Sequence, residues 1–166
     1  LRVLREVEPH LFLYKGPPAA LAGLPRTVLW TFTYNYDARD DFPDDVRTIY
    51  DWIDDVSVFP YDQRKLAALH ARALREADAV LTVARPLQEQ AVRERPDARY
   101  VPNAVEEGRF DAEPQPNPAL ADPAFAAVLA AGRPIAGYYG ALARWFDFAL
   151  LADTARLRPD WSFVLI

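Results

Sequence analysis

Cysteine is absent from this 166-residue chain, which excludes disulfides and thiol chemistry. Histidine is nearly absent, with only His10 and His70. Two scattered imidazoles exclude a multi-histidine metal centre. No apolar run approaches the ~20 residues of a membrane-spanning helix. No basic-then-apolar leader opens the chain, so the cytoplasm is the expected location. Basic residues are outnumbered, 19 Lys and Arg against 24 Asp and Glu, for a formal net charge of −5. Phosphate backbones demand concentrated Lys and Arg, so nucleic acid is not an expected partner. Neither a GxGxxG fingerprint nor a phosphate-loop lysine motif occurs, and no repeat of solenoid spacing is visible.

What is present is core-forming material: 51% hydrophobic and 13% aromatic residues. Residues 11–14 (LFLY) read as a short strand, and residues 27–33 (TVLWTFT) as a parallel strand buried on both faces. Residues 35–45 form an acidic loop, and 46–53 (VRTIYDWI) the next strand. Asp62 is placed to cap a helix over 62–77, in which Leu66, Leu69, Ala73 and Ala77 recur at helical spacing. A strand at 79–83 follows. A helix then opens with Pro86 and stops at Pro96, and 99–101 is a last strand. Beyond the Pro-rich stretch after Phe110, a helix from Asp122-Pro123 to Gly132 precedes a strand at 134–139. A helix capped by Asp147 then runs to about Leu157, before a strand at 162–166. Strands alternating with helices predict an α/β fold: Rossmann-like parallel sheets with flanking helices. The spacing divides the chain into 1–110, a linker at 111–123, and 124–166. Starting at Leu1 and stopping within an apolar run, the chain reads as a piece of a larger protein. The tryptophans, Trp30, Trp52, Trp145 and Trp161, are expected mostly in cores, with Trp145 placed to line a pocket.

Three constellations have chemical potential. The strand at 46–53 ends in Asp54-Asp55, and loops at the carboxyl ends of parallel strands face the ligand crevice. Such carboxylates can orient hydroxyls or accept a proton, although Asp is also a common turn and cap residue. The strand–Gly140–helix unit brings Gly140, Ala141, Leu142 and Arg144 before a helix start, where backbone amides can meet an anion. The alternative is a tight turn capped by Asp147. Asn103, in YVPNAV, is a turn residue by its chemistry, and His70 is a surface or packed histidine rather than a catalyst.

The ordered set IYDWIDDVSVF, ALREADAVLTVARPL, YVPNAVEEGRF, PIAGYYGALARWFDFALL and RPDWSFVLI resembles bacterial glycosyltransferases of family 4, which have the two-domain B-type fold. The resemblance covers residues 46–166. It implies a nucleotide-sugar donor held mainly by the C-terminal domain and a saccharide or lipid-linked acceptor held by the N-terminal one. It further implies retaining transfer without a cofactor or a bound metal, in polysaccharide or cell-envelope biosynthesis, in the cytoplasm or at the inner face of the cell membrane. On it, Asp54 and Asp55 are the catalytic-side residues, and Gly140, Ala141, Leu142 and Arg144 border the donor diphosphate. Any peripheral membrane contact would come from parts outside this chain. The chain departs from the family pattern at Ala104 and Glu106, where relatives have Gly and Asp. It departs again at Ala141, where relatives have Arg, and near Trp145-Phe146, where they have Lys. A sugar-nucleotide epimerase of the same architecture and a non-catalytic carbohydrate-binding relative are the alternatives.

Overall fold

The computed structural model describes residues 3–109 and 122–166, which fall into two units, Leu1–Ala104 and Val105–Ile166. The first opens on an antiparallel hairpin of β1 (Val3–Glu8) and β2 (Leu11–Lys15). Only the second of these strands was legible, because charges interrupt the apolar pattern of VLREVE. The turn is tight enough to place His10 at φ 66°, and its amide donates to Glu6 Oε1 at 3.0 Å.

Four further strands make one parallel sheet in the order β3 (Val28–Thr31), β4 (Arg47–Trp52), β5 (Ala79–Thr82), β6 (Arg99–Tyr100). Helix α1 (Gln63–Glu76) connects β4 to β5, and α2 (Arg85–Glu94) connects β5 to β6. The α1 boundaries follow local chemistry. The Asp62 carboxylate accepts from the amides of Arg64 and Lys65, and Leu66, Leu69, Ala73 and Leu74 are buried. At the other end of α1, the Arg95 guanidinium donates to the carbonyls of Leu74 and Ala77 at 2.7 and 2.9 Å. Those carbonyls belong to the last turn and its boundary, where helical partners run out. In α2, Pro86 occupies the first turn, as its missing N–H allows.

Three expectations are corrected. The strand at 27–33 is parallel but not buried on both faces: β3 is an edge strand, with Val28 57% and Trp30 53% exposed. Its apolar run resembled a central strand because apolar content does not report strand order; Trp30 Nε1–H donates inward, to Asp51 Oδ2 of β4, at 3.0 Å. The acidic stretch after it is not an open loop. Residues Thr33–Asp41 coil into 3-10 turns that drive the Tyr36 ring wholly into the core. Of the four tryptophans only Trp52 is buried. Trp145 is exposed, and Trp161 lies half-buried beneath the Arg158 guanidinium.

The second unit pairs β7 (Ile135–Tyr138) and β8 (Ser162–Leu165) in parallel, with α3 (Pro123–Ala130) before β7 and α4 (Phe148–Leu157) between the two strands. Asp122 and Asp147 cap the two helices, Asp147 in the role predicted for it. Gly132 closes the turn after α3 at φ 62°, the left-handed conformation glycine adopts without strain. No described residue of this unit is fully buried. Apart from Asp122 and Pro123, the anticipated linker at 111–123 lies outside the described residues.

Candidate functional site

Ligands of parallel α/β sheets gather outside the carboxyl ends of the strands. In the first unit, the segments leaving β3 and β4 at that edge enclose a cavity of about 250 Å³. From β3 come Phe32, Thr33 and Tyr34; from β4 come Ile53, Asp54 and Val56; Phe59 and Tyr61 complete the wall. Phe32 stacks with Tyr34 at 5.8 Å between centroids, and Phe59 with Tyr61 at 6.0 Å. A second hollow continues from the shared Tyr34 and Tyr61 to Asp62, Lys65, Leu66 and Leu69. The result is an aromatic groove with one carboxylate, Asp54, in its first compartment. Lys65, at its far end, pairs with Asp37 at 2.9 Å. The first compartment falls below the roughly 300–1,000 Å³ of sites that enclose a drug-sized ligand, so it suits a single small ring.

Each position has a local cause. Phe32 follows β3 in extended conformation, and its amide donates to Asn35 Oδ1 at 2.8 Å, which starts the 3-10 turns that carry Tyr34. On the other strand, Trp52 is buried and its Nε1–H donates to the Asp54 carbonyl at 2.9 Å. That bond fixes the backbone carrying the Asp54 carboxylate. The neighbouring aspartates therefore separate in role. Asp54 lines the cavity. Asp55 caps the 3-10 turn Val56–Val58, accepting from the Ser57 amide at 3.0 Å. The Ser57 hydroxyl and amide together hold the Asp55 carboxyl below the usual carboxylate range.

Beneath the cavity lies a network that the sequence did not reveal. Tyr50 Oη sits 2.6 Å from Thr33 Oγ1 and 2.8 Å from His70 Nδ1. The His70 ring packs on Trp52 at 4.2 Å between centroids. Burial pushes the Tyr50 hydroxyl well above the ordinary tyrosine range and pulls His70 below the ordinary histidine range. The signal available in sequence was the shared inward face of β4, on which Tyr50 and Trp52 alternate with outward residues.

In the second unit, Gly140 follows β7 at φ 154°, and a Cβ there would stand 3.0 Å from Tyr138 Oη. Glycine lets the Tyr138 side chain fold over the loop, where its hydroxyl donates to the Ala141 carbonyl at 3.1 Å. Leu142 and Arg144 are exposed in this loop. The Asp147 carboxylate accepts from the Leu150 amide at 2.8 Å and so occupies the start of α4 itself. The structure thus brings Gly140, Ala141, Leu142 and Arg144 into one loop of the second unit, and Asp54 and Asp55 into one loop of the first. Among the described residues, no group of His, Cys, Asp and Glu could hold a metal ion, and no helix is long and apolar enough to cross a membrane.

Comparison with protein-family models and with curated protein sequences finds no match. The functional reading therefore stands on geometry and on the ordered motifs.

Proposed function

We propose that this chain belongs to a glycosyltransferase of the two-domain B-type architecture, and that the aromatic groove of its first unit holds the acceptor saccharide. The observation that carries this reading is the pairing of stacked aromatic rings with a single carboxylate at the carboxyl edge of a parallel sheet. A pyranose has an apolar C–H face that lies on aromatic rings, and a rim of hydroxyls that donate to carboxylates. Tyr34, Phe59 and Tyr61 offer the first contact, and Asp54 the second. A carboxylate within reach of the attacking hydroxyl also accepts its proton as transfer proceeds.

The donor is a nucleotide-sugar, assigned to the second unit. There the Gly140–Arg144 loop would carry the diphosphate, with Arg144 supplying positive charge to the leaving group. Asp147 at the α4 start disfavours an anion on that helix end itself, so the loop amides and Arg144 carry the burden. Metal is not required in this scheme, because the leaving diphosphate is met by protein donors. The acceptor class is a glycan or a lipid-linked sugar, by resemblance of the motifs.

The test is transfer of a radiolabelled hexose from UDP- and GDP-sugars to a panel of glycan acceptors, by the protein that carries this chain. Asp54→Asn is expected to reduce turnover at least tenfold with thermal stability unchanged, the effect of losing one charge-assisted bond at the reacting hydroxyl (~1.4 kcal/mol or more). Arg144→Ala is expected to weaken nucleotide-sugar binding about tenfold, by the same scale. Saturable donor binding with no transfer, or a change of sugar configuration without transfer, would instead assign the chain to a binding or epimerase role.

A further inference from the structure

Tyr50 Oη contacts two polar atoms, Thr33 Oγ1 and His70 Nδ1, while owning one proton. It donates to one and must accept from the other, so the geometry of Thr33–Tyr50–His70 accommodates either of two polarities. Both Thr33 and Tyr50 are buried, and the Tyr50 hydroxyl stays paired with both neighbours in either polarity. We propose that this chain is a reversible relay in which the proton on His70 decides whether Thr33 offers the cavity an acceptor or a donor.

The two states follow from donor counting. With Nδ1 bare, Tyr50 donates to His70 and Thr33 donates to Tyr50, leaving Thr33 lone pairs toward the cavity it lines. With His70 as imidazolium, Nδ1–H donates to Tyr50 Oη. Tyr50 then donates to Thr33 Oγ1, and the Thr33 proton is freed for the cavity. The titratable and charged groups facing this unit are few. Tyr50 comes from β4, as does Asp51, whose charge disfavours loss of the Tyr50 proton; Glu94 from α2 favours the imidazolium, and the Tyr36 ring from the 3-10 segment lies edge-on against Tyr50. Burial outweighs Glu94, so the neutral state rules at neutral pH. The groove floor then holds two acceptors, Asp54 and Thr33, which selects ligands that donate, as sugar hydroxyls do. Acidification would convert one of the two into a donor. His70 and Tyr50 are positioning residues in this scheme, and Thr33 meets the ligand.

This rests on the groove being the saccharide site, and two independent measurements separate the claims. The first is the imidazole nitrogen NMR signal of His70 in ¹⁵N-histidine-labelled protein at about pH 8 and about pH 5. The expected result is an acceptor-type Nδ1 at the higher pH and a protonated Nδ1 at the lower. A protonated Nδ1 at both, or a bare one at both, overturns the relay. The second is binding of methyl β-glucopyranoside and its monodeoxyfluoro analogues, since fluorine cannot donate. One fluorinated position is expected to lose about tenfold at the higher pH and clearly less at the lower, the scale of one hydrogen bond. In His70→Asn, which has no titrating ring, that penalty is expected to be independent of pH. A pH-dependent penalty retained in His70→Asn overturns the relay, as does one that is pH-independent in the unaltered protein. If no glycoside binds, the saccharide reading fails and the nitrogen signal alone decides the relay.

Discussion

Adjacent aspartates show how far residue identity alone constrains function. Asp54 and Asp55 are chemically equal in the sequence, and each could serve as a ligand group or as a turn cap. Backbone direction separates them: Trp52 holds the Asp54 carbonyl, and the next carboxylate turns back onto the Ser57 amide. Asp55→Ala is accordingly expected to lower stability by about 1 kcal/mol, the usual value of a lost cap, while leaving saccharide binding intact. Denaturant unfolding alongside glycoside titration checks both halves. Tyr36 gives a prediction of opposite sign. Its ring is fully buried, and its hydroxyl has no hydrogen-bond partner among the described residues. Removing that hydroxyl in Tyr36→Phe is expected to raise stability by about 1 kcal/mol, because a buried polar group without a partner is costly. An unchanged or lowered urea midpoint would refute it.

The elements themselves were largely legible because their ends are marked by local chemistry. Asp62 and Asp147 cap where they were read to cap, Asp122 caps the helix that was read to start with it, and Pro86 and Pro96 bracket α2. What escaped were features that depend on distant neighbours. The edge position of β3 depends on which strands flank it, and apolar content does not report that. The 3-10 turns at Thr33–Asp41 hide behind acidic residues, although Tyr36 is the core residue that anchors them. The groove escaped for the same reason: its rings arrive from residues 32–34 and 53–61, which meet only once β3 and β4 pair. Arg95 is an element-scale contact of this hidden kind, bridging the end of α2 to the end of α1. Arg95→Ala is expected to cost about 2 kcal/mol, as two charge-assisted bonds to helix-end carbonyls are lost. Arg95→Lys is expected to recover part of it, since a single ammonium lacks the planar fork. Thermal midpoints of the two variants test the order.

Stability of the whole molecule should fall in acid, and the sign follows from the direction of each shift. The Arg72 hydrogen bond lowers the Asp40 carboxyl, the Ser57 bonds lower Asp55, and the Thr48 amide with Arg47 lowers Asp78. A carboxyl depressed in the folded state contributes its stability above the unfolded value near 4 and loses it as pH falls through the folded value. His70 acts in the same direction, because its folded-state value is also depressed. Its contribution is complete above the unfolded value of about 6.5 and begins to fade below it. A two-stage decline is therefore expected, shallow from about pH 6.5 and steep below about pH 4, and urea midpoints across that range would reveal it. His70→Asn should remove the shallow stage alone.

Trp52 carries a consequence of a different kind. Its indole touches the His70 ring on one side and grips the Asp54 backbone through its N–H. It is therefore an optical reporter wired to both ends of the groove floor. An imidazolium against an indole withdraws excited-state electron density, so acidification should dim Trp52, while a ligand pulling on Asp54 should shift its colour. A Trp52→Phe difference spectrum isolates the signal from that of the other three tryptophans. The protein would thus announce occupancy and protonation of its own cavity without an added label.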